Sequence, residues 1–213
     1  MRRRSVLTAG AAATVGLATW GLVSPSALAG PIGSGWTEVD AAYSLHQPPG
    51  KARHTLTDGE HHFWLYDTDP STFPGQDSGP RSELRFHNEY TSGDAQFEAD
   101  IKVKSGTYRT CVMQIFGGAG WATAFMTLAM SNSLNYYDYN QVIFSPVYDT
   151  YLHLNVVHET ASGRVHVFVN RQFRATFVDH GNATHYFKCG LYGRAGMAAR
   201  NDVYMKNIRL YRK

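Results

Sequence analysis

Alternation of apolar and polar residues dominates the chain. In the stretch 96–104, Phe97, Ala99, Ile101 and Val103 alternate with polar residues at every even position. A period of two describes a strand with one face in the core and the other in water. Similar patterns predict further strands at 61–66, 81–87, 108–116, 124–130, 151–158, 164–169, 173–178, 185–192 and 203–211.

Turn residues separate the predicted strands. Pairs such as Ser105-Gly106 and Ser162-Gly163 fall between them, and no run of ten or more residues shows helical periodicity. Many antiparallel strands at short spacing predict an all-β fold, an antiparallel two-sheet β-sandwich of the jelly-roll type with a groove on its concave face. The stretch 67–80, rich in Asp, Pro, Ser and Gly, is either a binding loop or lid, or a disordered connection.

The N-terminal 29 residues have the three parts of an export signal. The three arginines at 2–4 come first, an apolar stretch follows at 6–23, and a small-residue cleavage site at 27–29 precedes Gly30. The arginines also fit the twin-arginine pattern, so the general secretory route and the twin-arginine route both stay open. We therefore expect residues 1–29 to be removed and residues 30–213 to form a single secreted, extracellular domain.

Composition narrows the function classes. The chain is 43% hydrophobic and 17% charged, which suits a folded protein with a substantial core. Its net charge is +3, and removal of the three arginines at 2–4 leaves basic and acidic residues equal in number. Because capture of nucleic acid or anionic lipid needs a basic face, we expect neither a nucleic-acid partner nor membrane association after signal removal. We also expect the protein to be a monomer.

The chain contains two cysteines, Cys111 and Cys189. Since the outside of a cell is oxidising, the compartment favours a disulfide between them, and two buried free thiols are the alternative. Strict alternation places both thiols on the strand faces opposite the polar residues, as a bridge behind a binding surface would require. The bridge also requires the two Cα atoms to lie within about 7 Å of each other.

Polar residues interrupt three of the predicted strands. In the first of them, alternation places Arg81, Glu83, Arg85 and His87 on one face. Two arginines that flank a glutamate can form a structural ion-pair ladder. They can also form a carboxylate receptor, in which the glutamate holds the guanidinium groups ready for bidentate contact.

The other two strands add an amide, a phenol and further cations. Gln114 interrupts an apolar run. Because a buried amide must be hydrogen bonded, this residue by itself predicts a structural role. In the strand at 185–192 and just beyond it, one face carries Tyr186, Lys188, Tyr192 and Arg194. If the three strands are neighbours, they form a cationic groove in a neutral protein, and the natural ligand of such a groove is an acidic sugar chain.

Other chemistries fit less well. A retaining glycoside hydrolase needs two carboxylates about 5 Å apart. Glu98 and Asp100 are suitably spaced, but the alternation of their strand directs both side chains into water. The sequence contains neither a Gly-X-Ser-X-Gly nucleophile turn nor a phosphate-binding glycine loop.

Three motifs carry a family resemblance. Arg-Ser-Glu-Leu-Arg at 81–85, Gln-Ile at 114–115 and Tyr-Phe-Lys-X-Gly-X-Tyr at 186–192 resemble, in order and spacing, the signature strands of the alginate lyases of polysaccharide lyase family 7. These are β-jelly-roll enzymes whose signature strands line the substrate groove. The stretches 111–117 and 185–192 are similar to the branch of this superfamily that contains plant citrate-binding proteins.

The resemblance implies β-elimination in a 1,4-linked polyuronate, of the alginate or glucuronan type. Arg81 and Gln114 would bind the substrate carboxylate, and Tyr192 would be the catalytic acid, and the base as well if no histidine takes that part. Neither a metal nor another cofactor is expected, because side chains neutralise the substrate carboxylate. By the same resemblance Lys188 and Arg85 would hold neighbouring charges of the substrate, and the strand faces add Glu83, Tyr186 and Arg194 as substrate-binding residues. The family has a glutamine at the position of Arg194, which suggests an altered subsite preference.

Position 116 departs from the family pattern. The lyases carry a histidine two residues after the glutamine, whereas this chain has Phe116, which cannot transfer a proton. His87 is the best candidate to replace that histidine, because alternation along the strand places it on the same face as Arg81 and Arg85. The alternative is that His87 is a surface histidine beyond the groove. The rival function, from a different class, is a non-catalytic binder of uronate polysaccharide or of small carboxylates such as citrate.

Overall fold

A computed structural model describes residues 29–76, 78–137 and 140–213 of the chain. Except for Ala29, the export signal predicted at 1–29 lies outside the described residues. Within the described part of the chain, no helix is long and apolar enough to cross a membrane.

The secondary structure of the described residues consists of β-strands and the turns and loops that connect them. The strands are β1 (Thr37–Val39), β2 (Tyr43–His46), β3 (His54–Thr57), β4 (Glu60–Tyr66), β5 (Arg81–Phe86), β6 (Asp94–Val103), β7 (Thr110–Gly118), β8 (Trp121–Met130), β9 (Ser133–Tyr136), β10 (Val142–Phe144), β11 (Leu152–Glu159), β12 (Arg164–Val169), β13 (Gln172–Val178), β14 (Tyr186–Gly193) and β15 (Arg200–Arg212).

The strands form two antiparallel sheets that enclose the core. The first sheet has the order β13-β12-β11-β6-β15-β4-β3, with β1 paired to β15, and the second has the order β10-β9-β8-β7-β14-β5-β2. Between the sheets, Phe97 of β6 packs against Phe86 and Phe187, with ring centroids 6.4 and 6.0 Å away. Burial of such a side chain contributes roughly 1.5–3 kcal/mol. The predicted all-β, two-sheet sandwich of the jelly-roll type is confirmed.

All ten predicted strands are present, with ends that differ by a few residues. The strands that the pattern missed, β1, β2, β3, β9 and β10, have only three or four residues each. So short a segment holds too few alternations for a period of two to stand out from chance.

In the middle of β6, three polar side chains on one face of the strand lie out of contact with water. Gln96, Glu98 and Asp100 are at most 1% exposed. The segment that precedes β1 covers part of this face, because the backbone amide of Gly30 donates to the Glu98 carboxylate and that of Ile32 to Gln96 Oε1 at 2.8 Å. The expectation that alternation directs Glu98 and Asp100 into water is wrong. The segment before β1 lies over Glu98, and the side chains of His153 and Asn207 hydrogen bond to Asp100.

The three strands that carry the polar motifs are neighbours in the second sheet. β14 lies between β5 and β7. The cross-strand neighbours of Lys188 are Arg85 on one side and Gln114 on the other. Four residues along β14, Tyr192 pairs with Arg81. The polar side chains of all three strands therefore share the face of the sheet that points away from the core.

An irregularity in the strand pairing separates the two cysteines. The register between β7 and β14 shifts between the pairs Cys189–Met113 and Tyr192–Cys111. As a result Cys111 packs with Tyr192 on the outer face, whereas Cys189 packs in the core between the sheets. Both are buried free thiols whose pKa is raised by burial. The predicted disulfide is wrong, because the bulge places the thiols on opposite faces of the sheet.

Candidate functional site

A buried carboxylate organises the outer face of the second sheet. Glu83 is 2% exposed, and its Oε1 accepts hydrogen bonds from Arg81 Nη1 at 2.6 Å and from Lys188 Nζ at 3.0 Å. Its Oε2 accepts a hydrogen bond from Gln114 Nε2 at 2.8 Å. These four residues, here called the Glu83 cluster, come from β5, β7 and β14, and the strand register brings them together.

The charges of the Glu83 cluster hold one another in place. Burial raises the pKa of Glu83, but the imidazole of His46, whose Nδ1 lies 3.7 Å from Oε1, and the charges of Lys188 and Arg81 outweigh it and lower that pKa to about 2. Burial lowers the pKa of Lys188, and the Glu83 carboxylate opposes this shift. With Glu83 ionised and both cations charged, the cluster carries a net positive charge, which favours an anionic ligand.

Tyr192 lies between two guanidinium groups at the end of the Glu83 cluster. The Cζ atom of Arg81 is 3.7 Å from the centre of the Tyr192 ring, and Arg194 Nη1 donates a hydrogen bond to the phenol oxygen at 3.2 Å. The guanidinium of Arg194 therefore faces the atom that becomes negative when the phenol loses its proton. Such an arrangement suits a phenol that exchanges a proton with a ligand.

A cavity of about 620 Å³ opens beside Tyr192. Arg109 and Arg194 line it together with Asp67 and the loop residues 78–80. The two arginines exceed the single aspartate in charge, so this cavity also favours an anionic ligand.

The loop that forms one wall of this cavity is tied to the strands beside it. Arg53 donates to both oxygens of Asp69 at 2.8 and 2.7 Å, and the backbone amide of Arg81 donates to Thr72 Oγ1 at 2.7 Å. Of the two interpretations of the stretch 67–80, its described part fits a binding loop.

Two stacked aromatic rings lie at the opposite end of the Glu83 cluster. The rings of Phe116 and Tyr186 stack with centroids 4.9 Å apart. Lys188 Nζ lies 5.0 Å from the Phe116 centroid, and Arg85 Cζ lies 4.1 Å from the Tyr186 centroid. The position at which the resemblance leads us to expect a histidine therefore carries an aromatic ring next to an ammonium group. Flat rings beside cations can contact a sugar ring whose carboxylate reaches the cations.

His87 lies at the end of the polar row. β5 ends at Phe86, and the exposed His87 follows it, with Nε2 hydrogen bonded to Ser44 Oγ at 2.8 Å. Its hydrogen-bond partner thus belongs to the edge strand β2 and lies outside the Glu83 cluster. This placement fits the alternative of a surface histidine beyond the groove.

Two histidines that the sequence patterns did not single out lie near this face. His46 of β2 approaches Glu83, and alternation within β2 would have indicated it had so short a strand been recognised. His180 comes from the loop between β13 and β14, and its Nδ1 contacts the carbonyl oxygen of Thr123 at 2.5 Å. Thr123 is the cross-strand neighbour of Phe116. Only the tertiary structure places His180 there.

Within the described residues, one buried group of side chains has the composition of a metal site. Ligand atoms of His158, Asp179 and His185 lie within 4.8 Å of one another. His158 Nε2 lies 2.9 Å from Asp179 Oδ2 and its Nδ1 lies 2.9 Å from the Tyr90 hydroxyl, while His185 Nδ1 contacts the Gly117 carbonyl at 2.8 Å. These protein partners account for the arrangement as a hydrogen-bond network that ties the loop after β13 to the sheets.

Two comparisons of the sequence with known proteins identify relatives of this chain. A family model described as alginate lyase matches residues 16–211. A citrate-binding protein of Hevea brasiliensis is 34% identical to this chain over 186 residues, which cover 84% of this chain and 78% of that protein.

Solved alginate lyases share the fold. The alginate lyase AlgAT5 of polysaccharide lyase family 7 superposes with a TM-score of 0.64 at 17% identity, covering 80% of this chain and 94% of that one. The alginate lyase AlyA1 of Zobellia galactanivorans superposes with a TM-score of 0.58 at 18% identity, covering 89% and 99%. At these identities the superpositions establish the sandwich architecture.

Proposed function

Because this chain belongs to the alginate lyase family, we propose that it is a secreted polysaccharide lyase that cleaves a 1,4-linked polyuronate by β-elimination. One observation carries the proposal: Arg81, Gln114 and Lys188 meet around Glu83, next to Tyr192. These are the cation, amide and phenol groups that elimination next to a carboxylate requires.

Arg81 and Gln114 would neutralise the carboxylate of the sugar that loses its proton. Arg81 uses Nη1 to contact Glu83, and its buried Nε has no hydrogen-bond partner among the described residues. Gln114 donates one hydrogen of its amide nitrogen to Glu83 and keeps a second. Neutralising a carboxylate stabilises the negative charge that develops beside it, which makes the neighbouring C5–H bond more acidic.

Tyr192 would transfer the proton. As a phenolate it takes the proton from C5, the C5–H electrons form a double bond between C4 and C5, and the bond between C4 and O4 breaks. The phenol then returns the proton to O4, so that the tyrosine ends as it began. Arg194, hydrogen bonded to the phenol oxygen, would stabilise the phenolate that exists before the proton leaves C5 and again after the proton reaches O4.

An absorbance assay tests this proposal. The protein is incubated separately with polymannuronate, polyguluronate and glucuronan, and the ultraviolet absorbance of unsaturated chain ends is followed. We expect product from the wild type, loss of more than about 99% of the rate in Tyr192→Phe, and an unchanged rate in Tyr204→Phe, which alters a phenol on the other sheet. If the wild type forms no product on any polyuronate, the proposal of a lyase fails.

A second function is favoured by Phe116. The ring at this position cannot move a proton but stacks with Tyr186 beside Lys188, which suits a non-catalytic binder of uronate polysaccharide or of a small carboxylate. The relative from Hevea brasiliensis carries the name of a citrate-binding protein. Calorimetric titration with citrate and with uronate oligomers, run beside the absorbance assay, separates the two functions. Binding that is lost in Lys188→Gln, without unsaturated product, would identify a binder.

A further inference from the structure

Glu98 is a buried carboxylate on the opposite side of the molecule. It is 0% exposed, and Asn155 Nδ2 donates a hydrogen bond to its Oε2 at 3.2 Å, with His153 Nε2 3.8 Å away. Arg209, its cross-strand neighbour, is 43% exposed and lies 4.0 Å from Glu38. Among the described residues, no lysine or arginine forms an ion pair with Glu98. The ion-pair partner of Glu98 in this part of the chain is His153, which is charged only when protonated and whose Nδ1 also contacts Asp100 at 2.8 Å. A buried carboxylate without a permanent cationic partner is costly.

The backbone nitrogen of Gly30 lies against the Glu98 carboxylate, where a permanent cationic partner would otherwise be expected. It donates to both oxygens of Glu98, at 3.1 Å each. The segment is held in this position from two sides. Arg171 donates to the carbonyl oxygens of Gly30 and Pro31 at 2.9 and 3.3 Å, and the amide of Ile32 donates to Gln96 at 2.8 Å.

The sequence places the predicted cleavage site at this nitrogen. The small-residue pattern at 27–29 ends immediately before Gly30. Hydrolysis there adds water across the peptide bond, leaving a carboxylate on Ala29 and an amine on Gly30 that takes up a proton. The nitrogen that contacts Glu98 would thereby change from a neutral amide with one N–H to an ammonium group with three.

We propose that the chain is processed between Ala29 and Gly30, and that Glu98 is the receptor for the new N-terminus. The α-ammonium group of Gly30 and the Glu98 carboxylate form a buried ion pair, and this pair fixes the segment before β1 over the polar face of β6. Charge-assisted hydrogen bonds are about twice as strong as neutral ones, so the processed chain is more stable than any form in which residue 30 is preceded by another residue. This inference is independent of the reaction proposed for the groove.

The first test is the N-terminus itself. The full chain is expressed in a host that exports it, and the exported protein is analysed by intact mass and N-terminal sequencing. We expect a chain that begins at Gly30. A single product that begins elsewhere overturns the proposal.

The second test moves the ammonium group without preventing export. A Ser-Gly-Ser insertion between Ala29 and Gly30 of the full chain leaves the cleavage site in place. After cleavage, however, the new α-ammonium group lies three residues before Gly30. We expect the insertion to lower the melting temperature by roughly 5 °C in the wild type and to have no effect in the Glu98→Gln background. Glu38→Gln, which changes an exposed carboxylate of β1, is the matched control and should leave the shift intact. Equal shifts in the wild type and in Glu98→Gln overturn the ion pair.

A chemical measurement covers the case in which Glu98→Gln does not fold. At pH 7 an acylating reagent labels α-amino groups in preference to lysine, because their pKa is lower. We expect the α-amino group of the exported wild type to react at least about tenfold more slowly than that of the insertion variant. Equal rates would show that the N-terminus is free in solution and would overturn the proposal.

Discussion

At the scale of single residues, the Glu83 carboxylate has two effects on the candidate site. It holds Arg81, Lys188 and Gln114 in fixed positions, and its single negative charge leaves one of the two positive charges uncompensated. The ion-pair ladder and the carboxylate receptor, which alternation in β5 left as alternatives, are therefore compatible. The pattern of β5 predicted that its polar side chains share a face, but the contacts of Glu83 with β7 and β14 depend on strand pairing.

Removing the charge of Glu83 should destabilise the protein. In Glu83→Gln two buried cations lose their partner, so we expect the free energy of unfolding to fall by about 3 kcal/mol. Urea unfolding at neutral pH measures the change. Glu89→Gln removes a half-exposed carboxylate that pairs with Arg85, and this control should change the free energy by less than about 1 kcal/mol. Similar effects of the two substitutions would mean that Glu83 does not organise the cluster.

Acid should remove the same contribution. The folded pKa of Glu83 is about 2, below the ordinary glutamate value of 4.5, so the folded state binds a proton less readily than the unfolded state. The stability that Glu83 contributes is therefore complete above pH 4.5 and declines as the pH falls towards 2. We expect the difference in stability between wild type and Glu83→Gln to be constant from pH 7 to 5 and to shrink below 4.5. A difference that grew on acidification would contradict the assignment.

At the scale of elements, the close approach of β5 and β14 determines the shape of the site. Gly190 has a φ of +127°, and a Cβ atom there would lie 2.7 Å from the Cα of Glu83 and 3.2 Å from the ring of Phe63. Glycine is thus required both by the backbone conformation and by the space. The bulge next to it moves Cys111 to the outer face, which strict alternation did not predict.

A methyl group at Gly190 should disturb this contact. We expect Gly190→Ala to lower the free energy of unfolding by about 3 kcal/mol or more, because β5 and β14 must separate. Gly59→Ala is the control, since Gly59 also has a positive φ, +76°, but an added Cβ would have no neighbour within 4 Å. It should cost about 1 kcal/mol. Thermal or urea unfolding of both variants measures the difference, and equal costs would show that backbone conformation alone matters.

At the scale of the whole molecule, excess positive charge is concentrated on one surface. The numbers of acidic and basic residues are nearly balanced over the chain, yet arginine and lysine side chains gather on the outer face of the second sheet. Net charge excluded bulk capture of polyanions, and only the assembly of β5, β7 and β14 shows that one surface can still attract an acidic ligand.

Binding of an acidic glycan should therefore depend on salt and on one face. We expect the affinity for a uronate oligomer to fall severalfold between about 50 and 200 mM salt, because partly exposed charges are screened. Arg85→Gln should weaken both the binding and its salt dependence, whereas Lys206→Gln, on the first sheet, should change neither. Calorimetric titration at the two salt concentrations measures this. Equal effects of the two substitutions would show that the groove is not the binding surface.

The sequence by itself determined the all-β class, the ten longer strands and the faces of β5 and β14, because a period of two is a local property of the chain. It also indicated the residues of the Glu83 cluster and Tyr192 through motifs whose spacing resembles a known family. The tertiary structure decided what local patterns cannot contain. A bulge separated Cys111 from Cys189, a loop brought His180 beside Thr123, and the segment before β1 covered Glu98. Each of these depends on contacts between distant parts of the chain, and such contacts form only when the sheets pair and pack.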